Sequence, residues 1–389
     1  MIKNKEKKNL GIYLHIPFCM KKCHYCDFLS APADENTKER YIEALKKEIF
    51  LYREDLKENI ISTIFLGGGT PSLLKEKQIK EILDAIFETY FVQEGAEITI
   101  EANPETLTKE KLKIYKEVGI NRLSIGLQST EEEQLKRLGR IHTYKKFLES
   151  YALAREVGFE NINVDLMSAL PFQTKEEWEE TLRKIVNLNP KPEHISAYSL
   201  IIEEGTKFFK IKEQLSFPDE EEDRQMYWKT KEFLEREGYH RYEISNYALP
   251  EKESRHNQTY WTLGEYLGLG LGAASYRNGS RFKNTENLQE YFAFFENNMI
   301  KEPSELQKEV HILSKEEKME EFMFLGLRRM KGISEKRFLN LFQKDIMEVY
   351  REKIEKGVQI GVLWRKDGRI GLTERGIDIS NMVLTEFLF

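Results

Sequence analysis

An alternation of short β-rich runs with longer amphipathic segments is the feature that most constrains the fold of this 389-residue chain. The alternation extends from residue 11 to about residue 202 and gives six repeats. In the first amphipathic segment Ile42, Leu45 and Ile49 follow helical steps of three and four residues. Repeats of this kind indicate β-α units on a parallel sheet. The predicted strands are 12–18, 62–68, 96–102, 121–127, 161–167 and 194–201.

The number of repeats selects the architecture. A closed barrel of this type needs eight β-α units, so six units predict an open, curved partial (β/α)6 barrel of the α/β class. After residue 218 the pattern changes to a charged helix at 219–238 and a tyrosine-rich strand at 239–248. A polar, glycine-rich loop region continues to Gly279. This part is predicted to form an accessory β/loop layer on the sheet.

From about residue 303 the sequence becomes helical again, with predicted helices at 316–330 and 335–343. A hairpin is predicted at 362–373, where Asp367-Gly368 is a strong two-residue turn signal. Helices followed by such a hairpin resemble a winged helix. Because the hairpin carries no basic stripe beyond Arg365, Lys366 and Arg369, a docking module is a better interpretation than DNA binding. The predicted domains are 1–218, 219–302 and 303–389.

Composition excludes several classes of protein. Acidic residues number 66 and basic residues 60, and the formal net charge of −6 gives no overall attraction to nucleic acid or to an anionic membrane. With 40% hydrophobic residues and only 10 prolines, the chain is typical of a folded protein rather than a disordered one. The apolar runs are shorter than the roughly 20 residues of a membrane span, and none reads as a signal peptide. We therefore expect a cytoplasmic protein.

Three cysteines, Cys19, Cys23 and Cys26, lie within eight residues directly after the first predicted strand. An odd number in one window excludes a disulfide framework and favours metal or redox chemistry in a reducing compartment. Three thiolates at the carboxyl edge of a parallel sheet can hold three irons of a 4Fe-4S cluster and leave the fourth iron open. The spacing alone also allows a zinc site, with His15 or His24 as the fourth ligand.

The CxxxCxxC spacing after a first strand resembles the motif of the radical S-adenosylmethionine (SAM) superfamily. The resemblance implies a 4Fe-4S cluster whose open iron chelates the amino and carboxylate groups of SAM, and cleavage of the sulfonium to a 5′-deoxyadenosyl radical. Further segments resemble the branch that contains anaerobic coproporphyrinogen oxidases and HemW-type haem chaperones. In chain order these segments are 13–19, 67–71, 101–104, 124–129 and 163–167.

Polar residues and glycines of these segments sit at or just beyond the ends of predicted strands, on the same rim as the cysteines. The glycines at 67–69 let backbone amides approach a ligand, although a tight β-α turn also explains them. Acceptors at Glu101, Gln128 and Asp165 suit ribose hydroxyls or an ammonium group, and Arg140 suits a carboxylate or a structural ion pair. The resemblance implies that Tyr13, Gly68 and Glu101 contact the cluster-bound SAM. It implies that Tyr25, Gly69, Thr70, Gln128, Arg140 and Asp165 surround a second SAM site known in the oxidases.

Two departures separate the chain from the oxidases. The oxidases carry a further cysteine two residues after the third ligand, whereas Cys26 is followed by Asp27 and Phe28. Tyr13 also lies too near the start for the N-terminal extension that the oxidases use over their substrate. Both departures favour a haem chaperone without coproporphyrinogen oxidase activity. The alternatives are an oxygen-independent coproporphyrinogen III oxidase and a cluster- or zinc-stabilised binding protein without SAM chemistry.

The segment from His256 to Trp261 resembles the HNxxYW motif of the chaperones, in which the histidine is associated with haem binding. A neutral imidazole is a normal axial haem ligand, and Tyr260 and Trp261 offer flat apolar surface. With 7 histidines in the chain, a satisfied structural histidine is the alternative. The resemblance implies a HemN-like C-terminal domain, haem as cargo and respiratory haemoproteins as clients. It allows peripheral contact with membrane-bound clients and either a monomer or a homodimer, and it does not decide whether SAM is cleaved.

Overall fold

The structure is a computed structural model that describes residues 8–296 and 302–389. Residues 1–7, which include most of the basic start of the chain, therefore lie outside the described residues. The domain boundary predicted at residue 302 lies at the edge of the second described range. Six parallel strands, adjacent in chain order, form the centre of the main sheet, and each overlaps a predicted strand. The predicted α/β partial barrel is confirmed. The strands are β1 (Lys8–Ile16), β2 (Asn59–Gly68), β3 (Val92–Ala102), β4 (Arg122–Gln128), β5 (Ile162–Ser168) and β6 (His194–Ser199).

Helices that follow these strands cover the sheet with their apolar faces. On the first helix Ile42, Leu45 and Ile49 are at most 1% exposed, as their spacing predicts. The sixth helix begins at a capping box in which Thr174 and Glu177 exchange side-chain and backbone hydrogen bonds. The helices are α1 (Glu35–Leu51), α2 (Glu76–Thr89), α3 (Lys109–Glu117), α4 (Glu132–Arg137), α5 (Tyr144–Glu156) and α6 (Lys175–Val186), with 3₁₀ turns at Pro71–Leu73 and Pro104–Thr106.

The accessory region extends both edges of the same sheet. Next to β6 lies a short hairpin of β7 (His240–Arg241) and β8 (Asn246–Ala248), so the prediction of one continuous strand at 239–248 is wrong. At the other edge β9 (Tyr266–Leu269) pairs in parallel with β1. The remaining elements are α7 (Lys207–Ile211), a 3₁₀ turn (Lys212–Gln214), α8 (Glu220–Arg236), α9 (Arg255–Trp261), β10 (Ala274–Arg277), β11 (Ser280–Asn284), α10 (Leu288–Glu296), α11 (Pro303–Leu306) and β12 (Gln307–Ile312).

The glycines of the accessory region explain why it was predicted as loop. Strands β9 and β10 replace part of the predicted loop, and Gly268 lies inside β9. A Cβ at Gly268 would lie 2.2 Å from the carbonyl oxygen of Ala274, so glycine is required by the close approach of two chain segments. A glycine pattern that normally interrupts a strand therefore permits one here.

A second hydrophobic core lies in the C-terminal part of the chain and includes Phe338, Tyr350 and Ile370. Asp367 and Gly368 adopt φ values of 51° and 68°, which the predicted two-residue hairpin turn requires. The predicted helices are present, and α14 was not predicted. The elements are α12 (Lys315–Gly326), β13 (Ile333–Ser334), α13 (Glu335–Phe342), α14 (Ile346–Gln359), β14 (Leu363–Lys366), β15 (Arg369–Leu372), α15 (Glu374–Asp378) and α16 (Ser380–Thr385), with sheet order β13-β15-β14.

The helices of residues 8–296 and 302–389 include none with both the length and the apolar character that crossing a membrane requires.

Candidate functional site

A cavity of about 510 Å³ lies at the carboxyl ends of the parallel strands, which is where β-α proteins build their sites. We call it the outer cavity. Its volume is within the range of cofactor-binding pockets. The structure brings together on its walls most of the residues that the sequence predicted. These are Cys19, Cys23, Tyr25, Cys26, Gly68, Gly69, Thr70, Glu101, Gln128, Arg140 and Asp165.

The loop that carries the cysteines is fixed from two sides. The backbone amide of His24 donates to the carbonyl oxygen of Leu138 at 2.9 Å, and the amide of Phe208 donates to the carbonyl oxygen of His24 at 2.8 Å. The ring of His24 also places Nδ1 2.7 Å from the carbonyl oxygen of Arg137. These bonds join the loop to the segment after β4 and to α7, so the three sulfurs sit on a supported loop.

All three cysteines are free thiols; Cys19 is buried and the other two are half-buried. Burial raises the pKa of Cys19 and of Cys26 above the usual range for a thiol. A thiol with a raised pKa stays protonated at neutral pH until a metal replaces its proton. The loop therefore supplies three sulfur donors that a metal centre would have to deprotonate.

The two histidines considered as a fourth zinc ligand are engaged elsewhere. In His15, Nδ1 lies 3.0 Å from Tyr13 Oη and Nε2 lies 2.8 Å from the carbonyl oxygen of Leu29. In His24, Nε2 lies 3.0 Å from Nζ of Lys207. Over residues 8–296 and 302–389, no group of three or more His, Cys, Asp and Glu is arranged to hold a single metal ion. The donor set fits a cluster held by three cysteines better than a Cys3His zinc site.

The glycines after β2 are required by packing against the first strand and the residues that follow it. Gly68 adopts φ 109°, and a Cβ there would lie 2.6 Å from the ring of His15. A Cβ on Gly69 would lie 2.6 Å from the carbonyl oxygen of Phe18. The tight β-α turn considered from the sequence is thus present, and it also turns the Gly68 amide toward Glu101 Oε2 at 3.1 Å.

Two half-buried carboxyl groups lie on the wall of the outer cavity. Burial, with the charge of Asp165 as the second cause, raises the pKa of Glu101 to about 8. Burial also raises the pKa of Asp165, although Asn163 and Ser124 donate to it at 2.7 and 3.1 Å. At pH 7 Glu101 is therefore largely protonated, and a bound cation or hydroxyl donor would favour its ionised form.

Arg140 is half-buried against the cysteine loop and is not a solvated surface arginine. Its Nη2 donates to the carbonyl oxygen of Gly126 at 2.5 Å, and its Nη1 lies 3.7 Å from Cys23 Sγ. The ring of Tyr25 is close by, and burial raises the pKa of its phenol above the usual range. On the neighbouring wall Gln128 Oε1 accepts from Tyr198 Oη at 3.1 Å.

A smaller cavity of about 230 Å³ lies deeper in the barrel, and we call it the inner chamber. Tyr13 and His256 line this chamber instead of the outer cavity. His256 is 1% exposed; its Nδ1 lies 2.8 Å from Thr63 Oγ1 and its Nε2 lies 2.7 Å from Tyr260 Oη. Burial lowers the pKa of His256 to about 3, so the ring is neutral. The predicted haem ligand thus has both nitrogens engaged within the chain.

Two family models match this chain, one over the segment that carries most of the site residues and one over the C-terminal part. The model of the Radical SAM superfamily matches residues 13–185, and the model of the HemN C-terminal domain matches residues 313–379. The chain is 38% identical to "Heme chaperone HemW" of Bacillus subtilis (strain 168), over 97% of this chain and 98% of that protein. It belongs to the HemW family of radical SAM proteins.

Two further proteins are similar to this chain over nearly its whole length. "Heme chaperone HemW" of Lactococcus lactis subsp. lactis (strain IL1403) is 36% identical over 98% of both chains. The solved structure of coproporphyrinogen III oxidase (HemN) from Escherichia coli superimposes with a TM-score of 0.85 over 99% of this chain and 91% of that chain. At 21% identity this likeness shows a shared fold.

Sequence reasoning missed several residues of the HemW-family site. Arg122 and Ser124 alternate along β4 with Gly126, and period-two alternation places all three on the inner face of the sheet. That alternation was the available signal. Tyr198 and Asn257 also line the outer cavity, and the mouth carries exposed apolar side chains at Met20, Phe28 and Ile201.

Proposed function

We propose that this chain is a haem chaperone that holds a 4Fe-4S cluster and SAM, binds haem and delivers it to respiratory haemoproteins. The observation that carries the proposal is that the three cysteines and eight other positions matched to the radical SAM branch line one cavity. The relatives named as haem chaperones, 36% and 38% identical over nearly the whole chain, support the choice of function.

The residues of the outer cavity suit the two cofactors. Cys19, Cys23 and Cys26 would ligate three irons of the cluster, which supplies an electron and an open coordination position for SAM when bound. The carboxylates of Glu101 and Asp165 would accept hydrogen bonds from the nucleoside or its ammonium group. The neighbouring polar residues Gln128 and Arg140 would contact a second SAM molecule. Binding of this second molecule is part of the proposal.

The mouth of the outer cavity suits the flat, apolar face of haem. Met20, Phe28 and Ile201 are 54%, 59% and 70% exposed and belong to the lining of this cavity. Exposed apolar side chains that meet at a cavity are typical of a binding surface. The proposal does not use His256 as the haem ligand, because a chamber of about 230 Å³ is smaller than the roughly 300 Å³ of typical ligand pockets.

Anaerobic reconstitution of the full chain with iron, sulfide and SAM, followed by separate addition of haem and coproporphyrinogen III, tests the proposal. We expect iron–sulfur absorption, a saturable haem spectrum and transfer of haem to an apo-haemoprotein of the respiratory chain. Conversion of coproporphyrinogen III to protoporphyrinogen IX would assign the oxidase function instead. Failure to bind haem, or failure to release it to the apo-protein, would overturn the chaperone function.

A matched control separates the cluster from the haem site. The Cys23→Ser variant removes one cluster ligand, whereas Met20→Ala removes an apolar side chain from the mouth and leaves all three sulfurs. We expect the first variant to lose the iron–sulfur absorption and the second to retain it while haem affinity falls. Equal haem affinity in Met20→Ala and in wild type would remove that side chain from the haem surface.

A further inference from the structure

The inner chamber contains a buried positive charge without a direct partner. Arg122 is 2% exposed, lines the chamber, and its Nε has no hydrogen-bond partner. The arginine ion pairs of residues 8–296 and 302–389 are formed by other arginines and do not include Arg122. A buried charge is costly unless it is paired or hydrogen-bonded, so this arrangement is that of a binding site for an anionic group.

The two carboxyl groups that line the chamber, Glu101 and Asp165, do not fill that role. Glu101 accepts from the amide of Gly68, and Asp165 accepts from Asn163 and Ser124. Arg122 lowers the pKa of both carboxyl groups through space, and neither is hydrogen-bonded to it. Because the pKa of Glu101 is raised to about 8, it is largely neutral at pH 7 and does not repel an incoming anion.

The chamber lies next to the outer cavity, and the two spaces share part of their walls. Glu101, Ser124, Asp165, Ser196 and Asn257 line both spaces. This placement suits two sources of a carboxylate at Arg122, which are a small free molecule and an arm of a larger ligand held in the outer cavity. The volume of about 230 Å³ suits a group the size of propionate.

We propose that the inner chamber binds a carboxylate group, with the guanidinium of Arg122 as its partner. A guanidinium binds a carboxylate through two parallel hydrogen bonds, which neither an amide nor an ammonium reproduces. Binding of a free carboxylate is independent of the proposed function. Binding of a tetrapyrrole propionate arm rests on it.

Calorimetric titration of sodium propionate into the full-length chain tests the site. Wild type is expected to bind propionate saturably, Arg122→Lys to bind it more weakly, and Arg122→Gln to bind it at least tenfold more weakly. The matched control is Arg241→Gln, because Arg241 is 7% exposed, also has an unpartnered Nε and does not line the chamber. Its propionate affinity is expected to equal that of wild type.

The absence of saturable binding to wild type, or equal affinity in Arg122→Gln, overturns the proposal. If Arg122→Gln does not fold, Asn257→Leu provides the second test, since it fills part of the chamber and keeps the guanidinium. The proposal requires that Asn257→Leu weaken propionate binding, with folding checked by thermal unfolding. Unchanged binding in a folded Asn257→Leu variant overturns it as well.

Haem and haem dimethyl ester distinguish the two sources of the carboxylate. If a haem propionate occupies the chamber, esterification weakens binding to wild type, and Arg122→Gln weakens binding of the acid but not of the ester. If wild type binds both forms equally while propionate binding depends on Arg122, the occupant is a small free carboxylate. Failure of wild type to bind either form contradicts the proposed function and leaves the propionate result standing.

Discussion

Polar residues singled out by the sequence lie at two ends of the barrel interior. The two ends differ in the hydrogen bonds that these residues form within the protein. At the cysteine rim, formed by Cys19, Cys23 and Cys26, two of the three sulfurs have long contacts, at 3.7 Å from Arg140 to Cys23 and at 3.8 Å from Cys19 to Ser30. At the barrel floor, formed by Thr63, Glu97, His256 and Tyr260, every imidazole and carboxylate named here has short partners. Polar groups without hydrogen-bond partners inside the protein indicate a ligand site. Polar groups whose hydrogen bonds are made inside the protein indicate a structural role.

The floor also shows why a motif residue can be structural. Glu97 on β3 accepts from the amides of Arg255 and His256 at 3.0 and 2.9 Å, and so caps the start of α9. The ring of His256 then stacks on Phe65 at 5.2 Å between centroids. The motif thereby fixes α9 beneath the sheet. The following variants test this contrast between rim and floor.

The largest effect is expected at the rim from Cys23→Ser. The variant loses one of three cluster ligands, so we expect reconstituted protein to lose its iron–sulfur absorption and most of its bound iron. The free energy of unfolding of the metal-free chain changes by less than about 0.5 kcal/mol, since no strong internal bond is lost. Met20→Leu in the same loop is the control. A full cluster in Cys23→Ser contradicts the ligand assignment.

At the floor, His256→Ala is expected to lower the free energy of unfolding by about 3 kcal/mol, because it leaves a void and removes the partner of the buried Thr63 hydroxyl and of the half-buried Tyr260 hydroxyl. Denaturant unfolding measures the change, and iron content should stay at the wild-type level. His311→Ala is the matched control, with a side chain 59% exposed and an expected change below about 0.5 kcal/mol. Wild-type stability of His256→Ala, together with loss of the haem spectrum, would make His256 a ligand rather than a structural residue.

Gly68→Ala tests the packing that supports the rim. The new methyl group would collide with the ring of His15, whereas Gly158→Ala has a similar φ of 94° and nothing within 4 Å. Both variants carry the cost of about 1 kcal/mol for a left-handed alanine, and the collision adds about 1–3 kcal/mol in Gly68→Ala only. Thermal unfolding of the two variants isolates that difference. Equal stability would show that the His15 ring moves aside without cost.

The smallest effect concerns Glu101, which lies between rim and floor. Its pKa of about 8 means that the ionised form, which attracts the positive charge of SAM, becomes populated as pH rises from 7 to 8. SAM affinity is therefore expected to rise severalfold over this interval and to level off only above about pH 9, where Glu101 is almost fully ionised. In Glu101→Gln the affinity at pH 8 falls about tenfold, about 1.4 kcal/mol, and the pH dependence disappears. A pH dependence that persists in Glu101→Gln assigns it to another group.

Much of the central fold follows from local sequence patterns. The six parallel strands and the buried face of α1 are predictable because strand and helix periods are properties of neighbouring residues. The division of 239–248 into β7 and β8 and the glycine-containing β9 were not predictable in this way. They depend on pairings such as Gly11 with Tyr266, which join residues far apart in the chain.

The candidate site shows the same division. The cysteines, glycines and carboxyl groups were found because each follows a predicted strand, and parallel strands end on one edge. The sequence did not single out Arg122 and left His256 open between a haem ligand and a structural residue, because burial and hydrogen-bond partners are set by other elements. The residues around Arg122 in the sequence form no motif that marks it as buried. His256 differs from a ligand histidine only in the side chains that surround it in the folded chain.

The sequence by itself determined the β-α order, the three sulfurs on one loop and the family to which the chain belongs, because these depend on residue type and spacing. Tertiary structure alone decided which polar groups have partners and which line a cavity. It placed the HNxxYW helix under the sheet, saturated its histidine and left a buried guanidinium without a partner. The physical reason is that desolvation and hydrogen bonding depend on neighbours in space, which lie on strands and helices far apart in the chain.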